Sequence, residues 1–416
     1  MKQHLMIIGG GLLQVPAIQT AKEMGLTTIV TDYNKEAYGL KLADYPIVMS
    51  TRDIEGTVRV GRAFHEQIKL DGVFTVGTDA SMTVAAVAGA LNLPGIKFDN
   101  ALAATNKLKM RQRFKEAGVP SPDYVGCWTI EETLKAYHAL GGKVVIKPTS
   151  NMGARGVRRV FDEMDVEAAF QSAKKNSPSG EVIVEEFMDG CELSIDALIF
   201  NNKIYIAGIA DRTIKHEPYF VETGHILPSE QSEDVIEDAI TVMKQGIRAL
   251  GLDIGAAKGD IKITSEGAKV VELAARLSGG FMSAYTYPYA TGVNLIENAI
   301  KISLGDEPGD LTPRHRGVSV EKAIISKPGI VKFIGGIEEA KKVDGVRNIF
   351  LNVQEGDIVK SPTNNVEKSG HIIVAADSRM DALQKVNEAM SKIIIETELE
   401  GNITYSELRT TALKNF

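Results

Sequence analysis

Lys258-Gly-Asp-Ile-Lys-Ile-Thr-Ser-Glu-Gly-Ala-Lys-Val-Val-Glu-Leu-Ala-Ala-Arg-Leu-Ser-Gly-Gly280 contains two short alternating runs. Ile261 and Ile263, then Val271 and Leu273, recur with the period of two that half-buried strands show. Between them Ser265-Glu266-Gly267 reads as a three-residue hairpin loop, with glycine third, where a left-handed backbone is needed. Folding about that loop predicts the pairs Thr264 with Ala268, Lys262 with Val270 and Asp260 with Glu272. Directly opposed residues share a face, with Cβ atoms roughly 5 Å apart. Two carboxylates therefore meet on the face away from the isoleucines. Arg276 keeps their parity, and Ser278-Gly279-Gly280 follows as a turn of small residues whose N–H groups can approach an anion.

Like charges opposed on neighbouring strands destabilise a sheet. A hard divalent cation relieves that repulsion, with Mg²⁺ shared with substrate phosphates as the usual case and Mn²⁺ as a substitute. Two solvated acids on an exposed hairpin are the plainer alternative. The adjacent arginine and Gly-Gly turn suit phosphate and favour the metal.

The chain of 416 residues has room for two to four domains. Its hydrophobic fraction of 44% and charged fraction of 24% describe a globular protein. A formal charge of −7 argues against a surface built for nucleic acid or anionic membrane. Two cysteines, Cys127 and Cys191, fit a reducing compartment, and neither has a metal-ligand partner at useful spacing. The apolar start breaks at Gly9-Gly10-Gly11 with no small-residue cleavage site behind it, and no run reaches the ~20 apolar residues of a membrane span. A cytoplasmic location is the expectation.

Toward the N-terminus, Leu5 to Ile8, a glycine loop, a helix from Leu12 to Met24 and a strand from Thr27 to Thr31 make a βαβ opening. Further strands at Tyr45 to Met49 and Gly72 to Val76, and an alanine-rich helix at Ser81 to Leu91, predict a parallel sheet with flanking helices. Asp32 stands where a dinucleotide's ribose would be held. The glycine fingerprint is incomplete, because Gln14 occupies its third position. Asn106 to Lys115 is a cationic helix closed by Gly118 and Pro120. Val144-Val145-Ile146-Lys147-Pro148 is a strand ending in lysine, followed by the small-residue loop Thr149 to Val157. A lysine beside such a loop is one way to hold polyphosphate, and a mobile surface hairpin is the other reading. It is not a Walker A loop. Glu181 to Phe187 and Cys191 to Phe200 read as strands joined by Met188-Asp189-Gly190. The segment from Asp211 to Pro228, with His216 and His225, reads as a polar loop leading to a helix at Glu233 to Leu250. The Pro/Gly-rich segment from Asp306 to Pro313 is the clearest linker, and short strands with a helix from Arg379 follow it.

That order of parts resembles the ATP-grasp superfamily over essentially the whole chain. Within it, the chain looks most like carboxylate–amine ligases related to L-amino-acid (dipeptide) ligases. The resemblance rests on Val145-Ile-Lys-Pro148, Val184-Glu-Glu-Phe-Met-Asp-Gly-Cys-Glu192 and Val271-Glu-Leu-Ala-Ala-Arg-Leu-Ser-Gly-Gly280. Thr223-Gly-His-Ile-Leu-Pro228 tilts it toward the amino-acid ligases. It implies an α/β and α+β architecture: a Rossmann-like pre-ATP-grasp domain at 1–100, an ATP-grasp domain at 101–310 with a mobile lid at about 119–185, and a β-rich α+β domain at 311–416. It implies that Lys107 and Lys147 hold the ATP phosphates under a loop containing Ser150, Gly153, Gly156 and Val157. Glu185, Glu186, Phe187, Met188 and Glu192 would hold adenine and ribose, and Asp260 and Glu272 the Mg²⁺. Arg276 would stabilise the reacting groups as the catalytic residue and contact substrate together with His225, Gly279 and Gly280. Many members read Glu-x-Asn-Pro-Arg, with the asparagine as a further metal ligand; Ala274 stands there in this chain.

The expected activity is ATP-dependent joining of a small-molecule carboxylate to an amine through an acyl phosphate, with a homodimer as the commonest assembly. Another ATP-grasp chemistry, of purine-pathway or carboxylase and carbamoyl-phosphate type, is one alternative. An NAD-binding oxidoreductase using Gly9–Gly11 and Asp32 is another.

Overall fold

The computed structural model of this chain describes residues 2–399. Its N-terminal sheet is fully parallel, in the spatial order Tyr45–Val48, Thr27–Asp32, His4–Ile8 and Gly72–Phe74. Both faces of the strand His4–Ile8 are covered. Leu5 and Ile7 pack with Ala17 and Ile18 on one side, and Met6 and Ile8 with Val87 and Ala88 on the other. That double burial is why the strand reads as a continuous apolar run.

Asp32 orders the loops around it. Its Oδ2 accepts the Gly10 N–H at 2.9 Å and its Oδ1 the Asn34 N–H at 2.9 Å. Gly11 and Asp32 also border the main cavity.

The central sheet has eight strands. In spatial order they are Gly267–Ala274, Gly255–Thr264, Cys191–Phe200, Lys203–Lys215, Val221–Leu227, Val318–Ile324, Gly370–Ala376 and Val346–Leu351. The last three come from beyond the proline-rich linker, so the C-terminal strands extend this sheet. His225 pairs with Glu321 and Gly224 with Lys322, which covers an edge that would otherwise expose unpaired backbone groups. A separate three-stranded sheet, Ile358–Val359, Gly329–Gly335 and Ile394–Glu398, flanks it.

Two local expectations are corrected. The hairpin loop has two residues, because Thr264 pairs with Gly267 and its Oγ1 donates to the Gly267 carbonyl at 2.8 Å. Lys262 therefore faces Lys269, and Ile261 faces Val270. A bulge at Val271 then restores Asp260 opposite Glu272. The segment from Asp211 to Pro228 is mostly strand and not loop. Arg212, Glu222 and His225 of this segment line the cleft, and such polar residues on its strands make its composition imitate a loop.

A four-stranded antiparallel sheet, Tyr124–Cys127, Val182–Glu186, Val144–Pro148 and Arg158–Val160, closes over the central sheet. Helices Ile130–Ala139 and Val166–Lys175 back it, and its core (Val144, Ile146, Val160, Phe170, Val184) lies wholly within this unit. Helix Lys107–Ala117 runs beside it, capped by the Asn106 side chain, which accepts the Lys109 N–H, and stopped by Gly118 at φ +67°. Among the described residues no helix is long and apolar enough to cross a membrane.

Candidate active site

A cavity of about 710 Å³ lies between the closing sheet, the central sheet and the N-terminal loops. Its floor is the polar face of the central sheet, where residues two apart on a strand point the same way. Lys258, Asp260 and Lys262 follow that rule on one strand, and Glu192 and Ser194 on the next.

Two lysines define the cationic end. Lys107 opens its helix, and its buried Nζ donates to the Asn151 carbonyl at 3.1 Å and to Glu272 Oε1 at 3.0 Å. Lys147 ends a strand of the closing sheet and meets Glu185 Oε2 at 2.6 Å. Arg111 grips the same carboxylate from below, with Nε to Oε1 at 3.0 Å and Nη2 to Oε2 at 3.2 Å. Burial alone would raise the Glu185 carboxyl, but the Arg111 and Lys147 cations outweigh it and hold it below the ordinary value. Burial pushes the Lys147 ammonium below the ordinary lysine value, against the pull of Glu185.

Asp260 and Glu272 face each other across the hairpin, as the sequence predicts. Asp260 is ion-paired to Lys258 and lies 3.2 Å from Arg212 Nη1. Burial would raise Glu272, yet the charges of Lys107 and Lys147 pull its carboxyl down to about 2, so it is ionised across the working range. Two carboxylates on one face are a hard oxygen donor set that suits Mg²⁺. Among the described residues no cluster of three or more such ligands occurs. The remaining ligands of a cation here would thus be phosphate oxygens and water. Beside them Arg276 has Nη1 on the Leu277 carbonyl at 3.1 Å, while its buried Nε has no partner. An orphaned guanidinium N–H at the cavity wall fits an anionic ligand.

The turn after Arg276 is anchored from beneath. Asp196, fully buried, accepts the Ser278 N–H at 2.9 Å and the Ser278 hydroxyl at 2.5 Å. Gly280 has φ +60°, and a Cβ there would come within 3.0 Å of Glu222 Oε1 and 3.3 Å of the His225 ring. The left-handed backbone and that close approach favour glycine there.

The far end carries a second charged group. Arg212 bridges Glu192 (2.8 Å), Glu222 (2.9 Å) and Asp260 (3.2 Å). His225 lies between Glu321 (3.3 Å) and Glu222 (3.7 Å). Lys368 and His371 enter from the C-terminal segment, with Lys368 Nζ donating to the Glu222 carbonyl at 3.1 Å.

The cavity brings together Lys107, Lys147, Gly153, Val157, Glu186, Phe187, Met188, Glu192, Asp260, Glu272, His225, Arg276, Gly279 and Gly280. Ser150 and Gly156 lie outside it. Ser150 is turned to Asn106, and Gly156 (φ +73°) packs against Asn176 and the end of helix Val166–Lys175, so neither lines the cavity. Glu185 borders the cavity, and Arg111 and Lys147 engage both its oxygens, so it also orders Lys147. The sequence reading missed Arg111, Arg212, Lys258, Glu222, Glu321, Lys368 and His371. Lys258 was within reach, two residues before Asp260 on the same strand face. Glu321 and Lys368 carry no local signal, since strand pairing and chain return place them.

Cations over a carboxylate pair, under a closing sheet, suit a phosphorylated ligand and its metal ion. Residues 18–95 match the family model described as ATP-grasp N-terminal domain, and residues 140–285 the ATP-grasp domain. The chain belongs to the ATP-grasp family, whose ligases are ATP-dependent enzymes that form C–N bonds. Residues 323–398 match the model described as L-amino acid ligase C-terminal domain 2. An L-arginine-specific L-amino acid ligase of Bacillus subtilis is 24% identical over 274 residues, covering 64% of this chain and 66% of that one. A protein of Sinorhizobium fredii called y4rH is 27% identical over 341 residues, 80% of this chain and 69% of its own. The crystal structure of L-amino acid ligase from Bacillus licheniformis superposes with a TM-score of 0.83 at 22% identity, over 95% of this chain and 99% of that one.

Proposed function

We propose that this protein joins the carboxylate of one amino acid to the amine of another at the expense of ATP. The observation carrying this reading is that one cavity has the phosphate-type cations and carboxylate pair at one end. Its other end is walled by Asn352, Lys368 and His371 from the segment that matches the amino-acid ligase C-terminal domain.

In this reading Lys107 and Lys147 neutralise the nucleotide's phosphates, and the Gly153 loop covers them. Asp260 and Glu272 would hold Mg²⁺, which supplies charge neutralisation on phosphate oxygens when bound. The substrate carboxylate attacks the γ-phosphate, giving an acyl phosphate and ADP. Arg276, with its unpaired Nε, stabilises the charge that develops on the transferred group. The closing sheet keeps water from the acyl phosphate until the amine displaces phosphate and forms the amide.

The test is ADP release with Mg-ATP against a matrix of single and paired amino acids, with mass spectrometry on each reaction. ADP with particular pairs, and a product lighter than their sum by one water, is the expected result. ADP release only with bicarbonate or a ribonucleotide would place the enzyme in the carboxylase or purine branch instead.

A further inference from the structure

The second half of the proposed reaction needs a proton acceptor, because an amino acid's nitrogen is an ammonium at neutral pH and has no lone pair for attack. The carboxylates on the cavity floor are poor candidates. Glu185, Glu192, Glu222, Asp260 and Glu272 each lie against an arginine or lysine at 3.2 Å or less. Each is thus already engaged by a cation, which competes with a proton for its oxygens. His225 is also engaged, with Nδ1 3.3 Å from Glu321 and Nε2 3.7 Å from Glu222.

His371 differs. It comes from strand Gly370–Ala376, lines the cavity, and rests its edge on the Phe281 ring at 4.9 Å. Its Nδ1 is 2.6 Å from Glu321 Oε1, and Glu321 is 1% exposed. A buried carboxylate at that distance accepts the Nδ1 proton, fixes the tautomer and leaves the lone pair on Nε2. No hydrogen bond to Nε2 occurs among the described residues. A carboxylate fixing one imidazole nitrogen so that the other can accept a proton is the arrangement of a general base.

We infer that His371 is the base that deprotonates the incoming amine, with Glu321 as its positioning residue; this rests on the ligase reading above. The ammonium gives one proton to His371 Nε2, and the freed lone pair forms the C–N bond at the acyl carbon. The bond from that carbon to the phosphate oxygen breaks, its electron pair leaves with phosphate, and phosphate takes the second proton from nitrogen. The imidazolium then releases its proton to solvent. Glu321 stays ionised throughout and stabilises the imidazolium.

Hydroxylamine separates base catalysis from every other role, because it is uncharged at neutral pH and needs no deprotonation before attack. The experiment compares amide and hydroxamate formation in wild type, His371→Ala, His371→Asn and Glu321→Gln. It uses Mg-ATP and an amino-acid pair that the wild type accepts. Amide formation should fall about 10²-fold or more in the His371 variants, while hydroxamate formation stays within a few-fold of wild type. Glu321→Gln should show the same selective loss to a smaller extent. An equal fall with both nucleophiles, or unchanged amide formation, overturns the assignment. Variants that make no hydroxamate at all also overturn it, since His371 would then serve structure or the first half-reaction. A wild type that makes no hydroxamate with any amino acid overturns the ligase reading itself, and this inference with it.

Discussion

Lys147 and Glu185 meet at 2.6 Å on adjacent strands of the closing sheet, with at most 6% of either side chain exposed. Arg111 completes the group, so one buried carboxylate serves two buried cations. Removing one partner of such a cluster is costly because the remaining charges stay buried.

Glu185→Gln should therefore weaken ATP binding without touching the nucleotide directly. Lys147 is already held below the ordinary lysine value by burial, and losing the anion lowers it further. The variant should lose ATP affinity as pH rises, at a lower pH than wild type, with KM for ATP up by about tenfold for each 1.4 kcal/mol lost. Superimposable pH profiles of KM would contradict this.

How far the sequence reaches can be seen in these same residues. The pair Asp260 and Glu272 was legible because a hairpin is local and side-chain parity survives a single bulge. The turn at Gly279-Gly280 was legible from small residues next to an arginine. Glu185 was placed in the site, but its ion pair with Arg111 was not legible, because nothing near it in the chain announces a partner 74 residues away. Short C-terminal strands were legible, but Val318–Ile324 and the joining of this segment to the central sheet were not, because edge pairing between Val221–Leu227 and Val318–Ile324 is a tertiary event. His371 was hidden for the same reason, as its meaning depends on Glu321 in the neighbouring strand.

The closing sheet is latched at two points. The Arg159 N–H donates to the Pro218 carbonyl at 2.9 Å and its guanidinium meets Glu217 at 2.6 Å; the Asn365 N–H donates to the Gly153 carbonyl at 2.8 Å. The Arg159–Glu217 pair is largely exposed on the glutamate side, so it contributes about 0.2–1 kcal/mol. The guanidinium also lies over the Phe161 ring at 4.6 Å, so Arg159→Ala should cost a modest amount of stability and admit water to the acyl phosphate. ADP release without matching amide should rise severalfold, measured as the ADP-to-amide ratio. A ratio that stays at one would show that this latch does not govern closure.

Glu272→Gln keeps an oxygen for Lys107 and removes one charge from the carboxylate pair. The Mg²⁺ concentration giving half-maximal activity should rise by about tenfold or more, equivalent to about 1.4 kcal/mol of lost ion affinity. Calorimetric titration of Mg²⁺ in the presence of ADP checks it. Unchanged affinity in a folded variant would remove Glu272 from the metal site.

Asp196 gives the pH prediction with the opposite sign from an ordinary ion pair. Burial raises its carboxyl from 3.8 to about 6, although the Ser278 hydroxyl and N–H, and the charges of Lys258 and Arg276, pull it down. The folded protein therefore holds a proton there that the unfolded chain has released, so stability falls as pH rises through that window. The window spans at most about 3 kcal/mol. Asp196→Asn keeps an oxygen for the Ser278 N–H and removes the titration. Its unfolding free energy should be flatter than wild type between pH 4 and 6 and equal or higher at pH 7, as urea denaturation at several pH values would show. Parallel curves would mean that Asp196 titrates alike in both states. A variant less stable at every pH would instead mean that the charged bonds to Ser278 outweigh the cost of burying the carboxylate. With the turn still anchored, turnover should fall far less than in Arg276→Ala, which separates holding the turn from acting on the substrate.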